Sequence, residues 1–304
     1  MDLYLPIANL PVNVFVIIGL GGVVGLLSGM FGVGGGFLTT PLLIFYGIPP
    51  TVAAASAATQ VTGASVSAVI SHLGRKTVDL RMGAVLVAGG TIGAVIGAAL
   101  FSLLQSVGQI DTVIGILYVV MLASIGGLMA FESLQTLIRI RSGKAPAARK
   151  RRHHPLVSAL PMRWRFYKSG LYISPIAPLL LGVVTGILTM LLGVGGGFIM
   201  VPAMLYLLGM QAQVVVGTSL FQILFVTMAT TLVHSMTTKA VDLVLAILLL
   251  LGSVAGAQLG ARVSRMVRPE YLRIVLAFIV LVIAIRMAVG LGWRPDEIYS
   301  IEMG

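Results

Sequence analysis

Two glycine-rich strings carry the most suggestive chemistry in this chain. Gly32-Val33-Gly34-Gly35-Gly36-Phe37, followed by Pro41, returns in the second half as Gly193-Val194-Gly195-Gly196-Gly197-Phe198, followed by Pro202. Successive glycines leave backbone amides unobstructed. A helix starting at Phe37 or Phe198 presents free N–H groups at the positive end of its dipole. Two such ends facing each other would hold an anion without any lysine. The same glycines would also serve close helix packing or a kink. Neither string is a dinucleotide fingerprint, because Phe37 stands where a further glycine is required. Neither is a phosphate loop, because no lysine follows the glycines.

Polar residues inside apolar runs come next. Ser56, Thr59, Gln60 and Thr62 share one run, and Thr218, Ser219 and Gln222 share its counterpart. Ser56 and Gln60 are four residues apart, as are Thr218 and Gln222, so each pair lies on one helix face. A glutamine amide in hydrocarbon is costly unless satisfied. Gln60 and Gln222 are therefore either paired donors converging on a cavity or interhelical glue, typically worth about 1 kcal/mol or less. Thr39 and Thr40 are weaker candidates, because Met200 and Val201 replace them in the second half. His72 and His234 close the same run in each half and are expected to be solvated at the water interface. Arg286, well inside an apolar run, either snorkels to the surface or faces the cavity as a counter-charge. There is no nucleophile–base–acid set and no HExxH string, which leaves an enzyme without support. No cofactor and no metal site are expected.

Composition says which elements must position these residues. Of 304 residues, 58% are hydrophobic and only 10% charged, with mean hydropathy +1.06. Soluble domains carry about a quarter charged residues, so a disordered chain and an ordinary cytosolic enzyme are excluded. The absence of cysteine excludes disulfides and thiolate metal sites. Apolar runs cover 12–30, 37–47, 52–72, 82–105 and 112–134, then 176–192, 198–209, 213–234, 243–264 and 272–291. All are expected to be helices, since strands cannot leave an edge unpaired in lipid. The run after each glycine string spans only about half of a ~30 Å hydrocarbon core, which suits a broken or re-entrant helix.

The two halves match further. Lys76-Thr77-Val78-Asp79-Leu80 pairs with Lys239-Ala240-Val241-Asp242-Leu243, and the ladder Gly89, Gly93, Gly97 with Gly252, Gly256, Gly260. The ladders read as close helix packing. The predicted fold class is an all-α polytopic membrane protein of two repeats with about five helical segments each. Repeat 1 covers 12–134, a basic linker 135–174, and repeat 2 covers 175–292.

Charge placement predicts the orientation. Lys and Arg total 20 against 9 acids, and ten of the basic residues lie between Arg139 and Lys168 with no acid among them. That linker is expected to be cytoplasmic, with anionic lipid rather than nucleic acid as partner of Arg149-Lys150-Arg151-Arg152. Arg75, Lys76 and Arg81 make one loop basic in the first half, whereas Arg262, Arg265, Arg268 and Arg273 crowd the following loop in the second. Equivalent loops then face opposite sides, so the repeats are inverted and both termini lie outside. No basic residue precedes the first apolar run, so no cleavable signal is expected. Inverted repeats with broken helices point to a secondary transporter whose site lies near the midplane.

From about Val14 to Gly290, the paired Gly-Val-Gly-Gly-Gly-Phe…Pro motifs, Gly217-Thr218-Ser219 and the glycine-ladder helices resemble the TauE/SafE sulfite-exporter family, also called the toluene-sulfonate uptake permeases. The resemblance implies a transporter of sulfite, sulfonates or related small anions in a bacterial inner membrane. It favours Gly34, Gly35, Gly36, Gly195, Gly196, Gly197, Thr218 and Ser219 as site residues, joined from the residue patterns by Phe37, Ser56, Gln60, Phe198 and Gln222. The long basic linker departs from a compact member. The alternatives are a passive anion channel and a non-transporting scaffold.

Overall fold

Each apolar run becomes a helix whose ends follow its local chemistry. The computed structural model describes residues 2–31, 36–141, 164–263 and 269–292. In chain order the elements are β1 (Asp2–Leu5), β2 (Leu10–Asn13), α1 (Val14–Phe31), α2 (Gly36–Phe45), α3 (Pro50–Gly74), α4 (Leu80–Ser106) and α5 (Ile110–Arg141). The second half repeats the order with β3 (Trp164–Phe166), β4 (Leu171–Ile173), α6 (Ile176–Leu192), α7 (Gly197–Tyr206), α8 (Ala212–Met236), α9 (Leu243–Val263) and α10 (Pro269–Gly292). Six helices, namely α3, α4, α5, α8, α9 and α10, are long and apolar enough to cross a bilayer. The ten residues of α2 and of α7 rise only about 15 Å, half of the hydrocarbon thickness.

Two short antiparallel hairpins, β1–β2 and β3–β4, join the helices expected from the apolar runs, and the second lies within the stretch read as a linker. Each hairpin is docked rather than left in lipid. Leu5, Ala8 and Val12 are buried with Leu43, Val52, Leu245 and Leu249. Phe166, Leu171 and Ile173 are buried with Met82, Leu86 and Met204. The polybasic residues 149–152 and the basic residues 265 and 268 lie outside the described residues.

The halves interlock rather than sit side by side. α1 packs on α9, α4 on α6, α3 on α8 and α5 on α10. Glycine makes the first two contacts possible. A Cβ on Gly25 would lie 2.2 Å from the Ser253 carbonyl oxygen, on Gly256 2.0 Å from that of Gly22, and on Gly93 2.1 Å from that of Val183. No side chain fits there.

Hydroxyls on the central helices hold the starts of their neighbours. The Asp79 N–H donates to Thr218 Oγ1 at 3.0 Å and the Asp242 N–H to Ser56 Oγ at 3.1 Å. Each aspartate then caps its own helix, Asp79 Oδ1 accepting from Met82 N–H at 3.2 Å and Asp242 Oδ1 from Leu245 N–H at 3.1 Å. The outer oxygens differ. Asp79 Oδ2 accepts from the Ser169 N–H at 2.9 Å and from its hydroxyl at 2.6 Å. Asp242 Oδ2 is buried with no partner. Ala8 occupies in the first hairpin loop the place that Ser169 has in the second.

Replacing Ser169 by Ala removes a hydroxyl from a buried carboxylate and should destabilise the protein by about 1–3 kcal/mol. The melting midpoint of the detergent-solubilised protein should fall for Ser169→Ala and rise for Ala8→Ser. An unchanged midpoint for Ser169→Ala would refute the role assigned to this cap.

Candidate functional site

The second glycine string forms a tight turn between α6 and α7. Gly193, Gly195 and Gly196 have φ of +71°, +74° and +73°, left-handed values at which only glycine is unstrained. Gly193 ends α6 by donating its N–H to Thr189 O at 2.8 Å, and Gly196 precedes the first turn of α7. The turn is enclosed on all sides. A Cβ on Gly193 would lie 2.0 Å from Ala54 O of α3. One on Gly195 would lie 3.0 Å from both Val61 and Ile223, and one on Gly196 3.1 Å from Thr185. Gly197 is the first residue of α7.

Of the first string, Gly34 and Gly35 lie outside the described residues, while Gly36 and Phe37 open α2. A Cβ on Gly36 would lie 2.7 Å from Val194 O. The two glycine strings therefore touch. Phe37 and Phe198, both buried, stack with ring centroids 4.2 Å apart and planes 1° from parallel. Pro41 and Pro202 lie four residues further on, so neither phenylalanine carbonyl has an i+4 helical donor. An apolar cavity of about 290 Å³ reaches Phe198 and Pro202 from α5 and α10.

The predicted polar residues divide into distinct roles. Ser56 and Thr218 accept the helix-start amides of Asp242 and Asp79, and Ser219 donates to Val216 O at 3.0 Å. Thr59 and Thr62 pair with Thr231 and Thr227 across α3 and α8 at 3.3 and 2.9 Å. Gln60 Oε1 accepts from Thr39 Oγ1 at 3.1 Å, so Thr39 matters more than its missing counterpart suggested. Gln222 is fully buried, and neither its oxygen nor its nitrogen has a partner. Its Nε2 faces α4, where a Cβ on Gly90 would come within 3.3 Å.

His234 is not solvated as expected. It is fully buried, with Nε2 donating to Met190 O at 2.9 Å, Nδ1 3.1 Å from Thr238 Oγ1, and an edge-on contact to Phe101. The packing of α4 and α6 around the end of α8 removes it from water. His72 is partly buried, 2.9 Å from Thr77 Oγ1. Arg286 is exposed, lies over the Phe45 ring, and lines a pocket of about 360 Å³ with Asp111, away from the stacked phenylalanines. Sequence reasoning missed Tyr118, a buried tyrosine whose hydroxyl donates to Leu192 O, the last carbonyl of α6, which also accepts from Thr40. A lone tyrosine in an apolar run carries no signal of such a role.

The sequence of the chain is matched by known proteins. The family described as sulfite exporter TauE/SafE covers residues 17–287. The chain belongs to the TauE/SafE family. Relatives of this TauE/SafE protein include the probable membrane transporter protein YjnA of Bacillus subtilis, 28% identical over 89% of this chain and 98% of its own. YunE of the same organism, also named a probable membrane transporter protein, is 25% identical over 90% of this chain and 96% of its own. A probable membrane transporter protein of Xylella fastidiosa is 28% identical over 93% and 96%. No solved structure matches the chain. Family membership and six long apolar helices make it an integral, multi-pass membrane protein.

The glycine turn gives a direct test. Gly193→Ala places a Cβ against the Ala54 backbone at a left-handed φ and should abolish the folded, monodisperse species in size-exclusion chromatography. Gly19→Ala, with open space around its Cβ on α1, should be tolerated or raise stability by about 1 kcal/mol.

Proposed function

We propose that this protein is a secondary transporter of small anions, of the sulfite or organosulfonate class, working by alternating access between two inverted repeats. The observation that carries this reading is the meeting of the two short helices at their N-terminal ends. The ends face one another through Phe37 and Phe198, and Ile223, next to the fully unpaired Gln222, touches Gly195 in the turn before α7. Helix N-termini favour negative charge, and a neutral, amide-lined site can release an anion as readily as it takes one up. The family name and the names of the relatives agree with this reading.

The inverted arrangement draws support from the order of the hydroxyl pairs. Thr59 meets Thr231 and Thr62 meets Thr227, so the equivalent helices α3 and α8 run antiparallel where they cross. An axis in the membrane plane relates helices in this way. The stacked rings fill the space between the two helix ends, which corresponds to an occluded state. Passage then requires the rings to part, with the cavity beside Phe198 as one approach.

Proteoliposomes holding the purified protein should take up labelled sulfite saturably and faster under an imposed proton gradient. Saturable flux that ignores the gradient would remove proton coupling, unsaturable flux would mean a channel, and no flux of sulfite or sulfonate would defeat the anion reading. Topology has its own test, because the natural chain has no cysteine. Ser71 and Ser235 are exposed near the ends of α3 and α8. As single Ser71→Cys and Ser235→Cys variants they should react with an impermeant thiol reagent from opposite faces, and labelling from one face would refute inversion.

A further inference from the structure

Gln60 and Gln222 hold equivalent places, yet only one is satisfied. Thr39, early in α2, donates to Gln60. Its counterpart in α7 is Met200, which is buried and has no hydroxyl to give. The whole head group of Gln222 is left unpaired, one acceptor oxygen and one NH2 donor, in a residue with no exposed surface. Such a group is expensive to bury. Neighbouring residues link it to the head of α7. Its nitrogen is against Gly90, the Gly90 carbonyl is against Gly186, and Thr185, next in the chain, is against Gly196. Ile223, the residue after Gln222, touches Gly195 in the same turn.

We propose that Gln222 is the substrate-recognising residue, and that the form it recognises is a monoprotonated oxyanion of the hydrogensulfite type. This rests on the transporter reading above. A primary amide with both functions unspent is complementary to a group that carries a bare oxygen and an O–H side by side. The NH2 donates to the S–O oxygen and the carbonyl accepts from the S–O–H. A dianion offers no donor to that carbonyl, and neither does a sulfonate, which the NH2 group alone would hold.

Charge selects in the same direction. Among the described residues, the side chains in these contacts are Gln222, Val226, Ile223, Val61, Thr185 and the stacked Phe37 and Phe198, none of them a cation. The self-energy of a desolvated ion grows as the square of its charge, so a dianion costs about four times as much to bring in as a monoanion. The Asp79 N–H meets Thr218 one helical turn before Gln222, and this buried carboxylate further disfavours a second negative charge. The titratable or charged groups on elements packed against α8 are His72 of α3, Asp79 and Arg81 at the start of α4, and Tyr206 at the end of α7. α8 itself carries His234, and α6 has none. Apart from Asp79, these sit at helix ends away from Gln222, so the titrating group that governs recognition is the substrate's own.

The test is initial-rate uptake by the full-length protein in proteoliposomes, at equal pH on both faces, over a range spanning the second ionisation of sulfurous acid. KM for total sulfite should rise in step with the loss of hydrogensulfite. KM for methanesulfonate, a monoanion at every pH used, should stay constant. Gln222→Leu should raise KM for sulfite about tenfold or more, with an unchanged or higher melting midpoint, because no native hydrogen bond is lost. Met200→Thr, which supplies the hydroxyl that Thr39 gives to Gln60, should raise it several-fold. A KM for total sulfite that is flat with pH would overturn the proposal. So would a Gln222→Leu variant with wild-type KM or a lowered melting midpoint. Wild-type protein with no flux of any sulfur oxyanion defeats the transporter reading and this proposal together, whereas flux with a pH-independent KM defeats this proposal alone.

Discussion

Direct backbone contact between helices of opposite halves is the constraint on which everything else leans. Lipid supplies no hydrophobic force to drive one apolar helix onto another, so association depends on close packing. Gly21, Gly25 and Gly29 of α1 rest on the backbone of α9 at Leu249, Ser253 and Ala257, and Gly252, Gly256 and Gly260 return the contact. Gly89 and Gly93 of α4 rest likewise on α6 at Leu179 and Val183. The glycine turn between Leu192 and Gly197 is enclosed by α3, α8 and Thr185 of α6. Non-helical backbone at membrane depth is tolerated only when protein surrounds it.

Within that frame the repeats are nearly equivalent, and the departures are informative. Thr39 donates to Gln60 while its counterpart Met200 has no hydroxyl for Gln222, and Ser169 serves Asp79 while its counterpart Ala8 has none for Asp242. In both cases one repeat supplies a hydroxyl and the other does not. In both, the unpaired oxygen or amide ends up on the second repeat. Unsatisfied buried groups are otherwise rare in native proteins. Two of them, Gln222 and Asp242, stand where the first half has a satisfied counterpart.

Most helix positions were legible from the residues. The apolar runs 52–72 and 213–234 became α3 and α8 with ends extended by one or two residues, because Pro50 suits a first helical position and hydropathy alone is blind to caps. The meeting of the glycine strings was legible too, since repetition of a breaker in both halves demands a common place for it. The hairpins were not legible. Leu5, Val12 and Phe166 alternate over too few residues to stand out beside twenty-residue apolar runs. Nor could spacing tell a hydroxyl that lines a cavity from one that caps a helix. Ser56 and Thr218 share a face with the glutamines, but the backbone of a neighbouring helix claims them. The burial of His234 depends on where α6 ends in space, which no local pattern records.

The exchange of helices between halves also bears on how the chain is made. The glycine face of α1 finds its match on α9, more than two hundred residues later in the chain. During synthesis α1 must wait in the bilayer with a bare, small-residue face until the second half has been threaded into place. Closing so long a loop adds only a modest entropic term, but the waiting period is real. Quality-control proteases and chaperones therefore meet the first half as an incomplete object, and the nascent protein becomes a finished one only when α9 slides in beside α1.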